Sequence, residues 1–204
     1  MTGLAAYGRL EGLGGVVTTA EAAAALRVSA SAASRTLRAL EAEGRATRLR
    51  TGLWHIGPGR PMATAIVRDV LRPHPAYISF LSALNIAGAI DQRPRTISVA
   101  SLDRARTIET AVGTYAVHHL PPALFGGWEE TRNGPVATPV KAIFDLCYVS
   151  AAHRGRARRL PELEVPGLHS VEQFEPWLSR IESPRLRSVT ETGLRSAIAR
   201  SNTR

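Results

Sequence analysis

Between Val17 and Gly57 the order of hydrophobic and polar positions predicts a helix, a tight turn, a second helix and a β-hairpin. Thr18, followed by Glu21 at the capping-box spacing, opens an Ala-rich helix. Val28 and Ser29 interrupt it, and a second helix is predicted from about Ser31 to Glu43, stopped by Gly44. At about 100° per residue, Ala33, Thr36, Leu37 and Leu40 gather on one side of that helix. Ser31, Ser34, Arg35 and Arg38 gather nearly opposite, at spacing i, i+3, i+4, i+7. Beyond Gly44, a strand carrying Arg45, Arg48 and Arg50 leads to a Thr51-Gly52 turn and a returning strand, Leu53-Trp54-His55-Ile56.

The rest of the chain alternates between helical and strand-like patterns. Residues 3–13 can form a first helix, completing a three-helix module with a hairpin, the order of a winged helix-turn-helix. Gly57-Pro58-Gly59-Arg60-Pro61 breaks the pattern, and a short helix is predicted from about Met62 to Leu71. Tyr77 to Leu84 reads as one buried helix, and Thr96 to Ala100 as a strand by β-branched alternation. Residues 106–119 suggest two strands around Val112-Gly113. A short strand near Val136 gives way to a helix with Thr138 as N-cap and Pro139 at its first position. From Ser150 onward the pattern is helical and basic, with later helices starting near Ser170, Ser183 and Thr190. The predicted fold class is α+β. A winged helix-turn-helix occupies residues 1–58, and a mixed α/β domain with a small antiparallel sheet and C-terminal helices occupies 62–204.

Charge chemistry gives the second predicted helix a role. Arg can fork onto guanine O6 and N7 or onto a phosphate, and short Ser side chains let a backbone approach closely. Arg on the outward strand and tip of the hairpin suits phosphates or the minor groove. The formal net charge is +9 and the pI near 11, which favours a polyanionic partner. Residues 1–60 contain eight Arg and four Glu, so the excess extends beyond this segment. Lys141 is the single lysine, and a GC-rich coding sequence accounts for part of that skew toward Arg. The single cysteine, Cys147, cannot staple the chain internally and reads as a small buried hydrophobe in a reducing compartment. Arg9 and Glu11 interrupt any secretion leader, and the apolar stretch from Tyr77 to Ile90 is shorter than the ~20 residues a span needs. A cytoplasmic location is expected.

Catalytic chemistry finds no footing. The histidines stand at 55, 74, 118, 119, 153 and 169 without zinc-site spacing, and His118 and His119 on one strand would face opposite ways. Gly12-Leu13-Gly14-Gly15 lacks the following Lys of a phosphate loop. Glu129-Glu130 lack a partner acid and a following Lys. No enzyme activity, metal or cofactor is therefore expected. Lys141 and Asp145, at i, i+4, read either as a functional pair or as an ordinary helix ion pair worth a few tenths of a kcal/mol. Arg154, Arg156, Arg158 and Arg159 read either as a second phosphate-contact patch or as a solvated linker.

Three segments in order carry a resemblance. They are Leu40 … Gly44-Arg45 … Arg48 … Gly52-Leu53-Trp54, then Tyr77 to Leu84 with Gly88 and Ile97 to Ser101, then Ala137 to Leu146. Over most of residues 8–150 the chain resembles the AbiEi family of bacterial antitoxins. Val140 stands where that family usually has Glu, and Ala87 where it commonly has His. The resemblance implies a winged-helix protein that binds inverted repeats in its own promoter as double-stranded DNA, represses its operon and counteracts a nucleotidyltransferase-like toxin, directly or indirectly. It also implies a second domain that supports cooperative binding on DNA, and it includes Lys141 and Asp145 in its pattern. Two other classes remain open: a winged-helix regulator without a toxin, controlled by a ligand in its second domain, and a winged helix that binds protein.

Overall fold

A computed structural model describes residues 3–154 and 162–201. The chain is α+β and divides into two compact units: Met1–Val70 with Glu109–Gly113, and Leu71–Ile108 with Thr114–Arg204.

The first unit contains helices α1 (Gly3–Glu11), α2 (Thr19–Leu26) and α3 (Ala30–Ala42), with strands β1 (Val16–Thr18), β2 (Ala46–Arg50) and β3 (Leu53–Ile56). The strands form one antiparallel sheet in the order β1-β3-β2, with Val17 opposite Trp54 and Thr47 opposite His55. Helix α2 starts where the sequence places its cap. The Thr18 side chain accepts from the Glu21 amide at 3.1 Å, and the Glu21 carboxylate accepts from the Thr18 amide at 2.6 Å. It ends at Arg27, a non-glycine residue in the left-handed region (φ 56°). Ser29 then caps α3 by accepting from the Ala32 amide at 3.3 Å. Only residues 27–29 separate the two helices.

The apolar stripes explain why these helices stay together. Leu10 of α1, Ala22 and Leu26 of α2, and Ala33, Leu37 and Leu40 of α3 are buried in one cluster closed by Trp54 and Ile56. Trp54 also donates from Nε1 to Thr19 Oγ1 at 3.1 Å, satisfying its polar edge beside the core. Thr36, expected on the core stripe, is half-buried, and its hydroxyl donates to the Ala32 carbonyl at 3.1 Å. The helix expected over 62–71 shortens to α4 (Val67–Leu71).

The second unit departs from the expected small antiparallel sheet. Strands β4 (Ala76–Ile78), β5 (Ile97–Ser101), β6 (Arg106–Thr110), β7 (Gly113–His119), β8 (Trp128–Thr131) and β9 (Gly134–Ala137) form a six-stranded sheet in the order β6-β7-β5-β4-β9-β8. The sheet is mixed: β5 pairs with β7, and β4 with β9, in parallel. The cause is connectivity. Strand β6 takes the sheet edge, so β7 returns between β6 and β5 and runs alongside β5 in the same direction.

Tyr77 to Leu84 is likewise not one helix. Ala76 to Ile78 form a buried central strand, and α5 (Phe80–Ile86) begins only after Ser79. A strand flanked on both sides in a sheet reads as a continuous apolar run, which periodicity cannot separate from a buried helix. Helix α6 (Pro139–Arg154) follows β9. The helix expected near Ser170 begins as a 3₁₀ turn at Val171–Phe174, with Ser170 as its N-cap, and continues into α7 (Glu175–Leu178). Helix α8 (Pro184–Ser201) runs unbroken through Thr190, which is buried rather than a start. Its hydroxyl donates to the Leu186 carbonyl at 2.8 Å, so the polar group needs no chain end to be satisfied. No described helix is long and apolar enough to cross a membrane.

Candidate nucleic-acid interface and a buried ion pair

Helix α3 separates its two faces sharply. Ala33, Leu37 and Leu40 are fully buried, while Ser31, Arg35 and Arg38 are exposed and Ser34 is half-buried. Ser31 Oγ lies 3.0 Å from the capping Ser29 Oγ at the helix start. Arg35 and Arg38 make no hydrogen bond or ion pair among the described residues. Their five donors each point from a rigid, capped helix toward solvent, so an anionic partner would displace no internal contact.

The hairpin arginines are committed differently. Arg45 lies 3.6 Å from the Glu43 carboxylate and over the Tyr7 ring at 5.5 Å. Arg48 lies over Trp54 at 5.8 Å and reaches Thr51 Oγ1 at 3.4 Å, while its backbone amide donates to Glu41 at 2.9 Å. Arg50 donates to the Val70 carbonyl at 3.3 Å. Arg48 and Arg50 stay exposed and can still face a phosphate, whereas Arg45 is half-buried and shares a carboxylate. A one-residue shift between Arg48 and Arg50 brings both opposite the short returning strand, where Gly52 supplies a positive φ of 78° for the turn. Arg154 ends helix α6; Arg156, Arg158 and Arg159 lie outside the described residues.

Lys141 and Asp145 are brought together in an environment that the sequence spacing alone does not convey. Both side chains are 0% exposed and form a direct ion pair inside the second unit. Asp145 also accepts from Ser79 Oγ at 2.7 Å and from Tyr77 OH at 3.0 Å, so three donors converge on one carboxylate. The Lys141 ammonium sits 5.2 Å from the Phe144 ring, 5.6 Å from Trp177 and 5.7 Å from Tyr77. Burial pushes the Asp145 carboxyl up and the Lys141 ammonium down, each against the pull of its partner. Burial, followed by the Asp145 charge, also raises the Tyr77 phenol. Gly127 admits the lysine stem: at its φ of +77°, a Cβ would lie 3.0 Å from both Lys141 Cγ and Trp177 Cζ2.

Spacing does not single out Tyr77, Ser79, Gly127 and Trp177, because they come from three separate segments. The available signal was Lys141 and Asp145 themselves. They interrupt a run whose other members, Ala142, Ile143, Phe144, Leu146 and Cys147, are apolar on every side of the helix, leaving no solvent face for an ordinary surface pair. The sealed cluster can hold elements together, but no substrate reaches it. Elsewhere, no three His, Cys, Asp or Glu side chains converge on a metal-sized point among the described residues. Glu129 and Glu130 lie exposed on β8. Compared with known proteins, the chain matches no family model and no curated protein.

Proposed function

We propose that the first unit is a winged helix-turn-helix that binds double-stranded DNA, with α3 in the major groove and the β2–β3 hairpin as the wing. The observation that carries this reading is the outward face of α3: Arg35 and Arg38 exposed, without internal partners, behind a three-residue turn and a Ser29 cap. Arg35 and Arg38 read or clamp the groove, with Ser31 and Ser34 allowing close approach. Arg48 and Arg50 contact backbone phosphates. Arg45 contributes less, because Glu43 already holds part of its charge.

In this reading the protein represses its own operon and acts as the antitoxin to a nucleotidyltransferase-like toxin from the cytoplasm. Support for that second part is the resemblance in segments 40–54, 77–101 and 137–146, not a local geometry. The DNA part is tested by gel shift on the chain's own upstream DNA. Arg35→Ala or Arg38→Ala should weaken a bidentate base contact by about 1–3 kcal/mol, and Arg48→Ala should lower the salt slope by about one. Unchanged affinity in both α3 variants at physiological salt would sink the recognition-helix assignment. The antitoxin part is tested by co-expression with the product of the adjacent gene: rescue of growth supports it, and failure against a demonstrably toxic neighbour rejects it.

A further inference from the structure

We infer, resting on the DNA-binding reading above, that α3 recognises two guanines in the major groove, one or two base steps apart, and has no matched reader for adenine or cytosine. The composition of its outward face carries this. At about 100° per residue, Ser31, Arg35, Arg38, Ala39 and Ala42 lie within about 60° of the direction opposite the Ala33, Leu37 and Leu40 stripe. All five are exposed. Ser31 and the two alanines are short, so the Arg35 and Arg38 guanidiniums are the parts of this face that extend into a groove. Arg35 points about 15° and Arg38 about 45° from straight outward, toward the groove floor where the base edges lie. Phosphates line the groove walls, and the exposed Arg48 and Arg50 of the hairpin suit those.

Hydrogen-bond complementarity selects the base. A guanidinium is a planar fork of donors with no acceptor. Guanine presents two adjacent acceptors, N7 and O6, which two parallel N–H groups match. Adenine sets the N6 amino donor beside N7, so the second arm of the fork would meet another donor. Cytosine offers a donor alone, and thymine a single acceptor beside its methyl group. Reading adenine in two bonds takes Asn or Gln, and reading cytosine takes a carboxylate. The first unit, Met1–Val70 with Glu109–Gly113, contains no Asn or Gln; the first of each in the chain are Asn85 and Gln92. The acids nearest the outward face, Glu41 and Glu43, turn toward the hairpin. Glu41 accepts from the Arg48 amide at 2.9 Å, and Glu43 lies 3.6 Å from Arg45. Ser31 Oγ sits 3.0 Å from the capping Ser29 Oγ, back at the helix start.

Helix geometry sets the spacing. Arg35 and Arg38 stand three residues apart, a rise of about 4.5 Å along α3. Stacked bases lie about 3.4 Å apart on a strand, so the two forks meet pairs one or two steps apart. Neither arginine gives up an internal contact to reach its base, because neither has one among the described residues. The Thr18 capping box and the Ser29 cap hold α2 and α3 in place, so the direction of the two forks is fixed before DNA arrives.

The test uses the full chain and a duplex library with a randomised centre, selected for binding at physiological salt. Enriched duplexes should share two guanines one or two steps apart. In an enriched duplex, replacing either guanine by 7-deazaguanine removes the N7 acceptor and keeps base pairing, and should weaken binding about tenfold. Arg35→Ala should erase the preference at one guanine and Arg38→Ala at the other. Arg35→Gln, which presents a donor beside an acceptor, should move the preference at its position from guanine to adenine. Enrichment of sites without the paired guanines overturns the guanine assignment, as does binding with a salt slope but no base preference; both leave the DNA-binding reading standing. Full affinity for the 7-deazaguanine duplexes, or a guanine preference kept in both Ala variants or in Arg35→Gln, overturns it equally. Absence of binding to any duplex, at low salt as well, rejects the DNA-binding reading and the guanine assignment with it.

Discussion

Replacing Lys141 by Met keeps the length of the stem and its contact with the Tyr77, Phe144 and Trp177 rings, but removes the charge facing Asp145. Asp145 stays buried with Tyr77 and Ser79 as its remaining donors. Breaking one side of a buried pair typically costs about 3–5 kcal/mol, and the two surviving donors put Lys141→Met near the lower end. Asp145→Leu should cost more. It strands the Lys141 ammonium together with the Tyr77 and Ser79 hydroxyls, each unmatched donor adding roughly 1–3 kcal/mol. Loss of a proton by Lys141, already favoured by burial, recovers part of that. The double variant removes both charges and leaves only the two hydroxyls, so the losses should fall short of additive by about 2–3 kcal/mol. Urea melts at pH 7 measure this: a 3 kcal/mol loss moves the midpoint by at least about 1 M. A Lys141→Met cost below about 1 kcal/mol, the range of an exposed helix pair, or strictly additive single losses, would refute the buried-pair account.

Three further outcomes follow from the same structure. Gly127→Ala must place a Cβ within 3.0 Å of Lys141 and Trp177 at a φ of +77°, and should cost about 1–3 kcal/mol in a denaturant melt. Thr18→Ala removes the oxygen that accepts the Glu21 amide and should destabilise the first unit by about 0.5–2 kcal/mol, read as a lower melting temperature. Burial pushes the Cys147 thiol from 9.0 up to about 12, so the folded chain keeps a proton that the unfolded chain releases. That stability is complete below pH 9 and lost as pH climbs toward 12, at about 1.4 kcal/mol per unit. Relative to Cys147→Ala, the chain should therefore lose about 1.4 kcal/mol between pH 8 and pH 10 in urea melts; parallel curves would contradict it.

Legibility in the sequence tracked how local each determinant is. Helix α2, its Thr18 cap, the turn at 27–29 and the two faces of α3 are written within some 25 consecutive residues, and period and capping rules find them. The hairpin β2–β3 is equally local, because Gly52 and the flanking alternation specify it. The second unit is different. Its central strand β4 pairs with β5 and β9, whose partner residues lie some 20 to 60 positions away, and no window of the sequence contains that pairing. Tyr77 and Ile78 therefore read as helical in the sequence and fold as strand. The cavity between α5 and α6 is less local still: His118 and His153, which both line it, are separated by 34 intervening residues, and β7 reaches it only by returning beside β5.

Helix α6 shows why this second unit does more than fill space. Lys141 and Asp145 occupy one stripe of the helix and form the sealed ion pair, while Leu146, Val149, Ser150 and His153 occupy another and line an open cavity. Ser79 joins the first stripe by its hydrogen bond to Asp145, and the next residue, Phe80, forms the wall of the second. A purely structural ion pair would not require the residue beside its donor to hold a left-handed φ of 57°. The arrangement is a rigid polar anchor that fixes a strained residue at the rim of the cavity. Disrupting the anchor with Lys141→Met should then shift the ring signals of His118, which packs against Phe80, more than substitution of a distant core residue that costs equal stability, and equal shifts would reduce the anchor to a packing role.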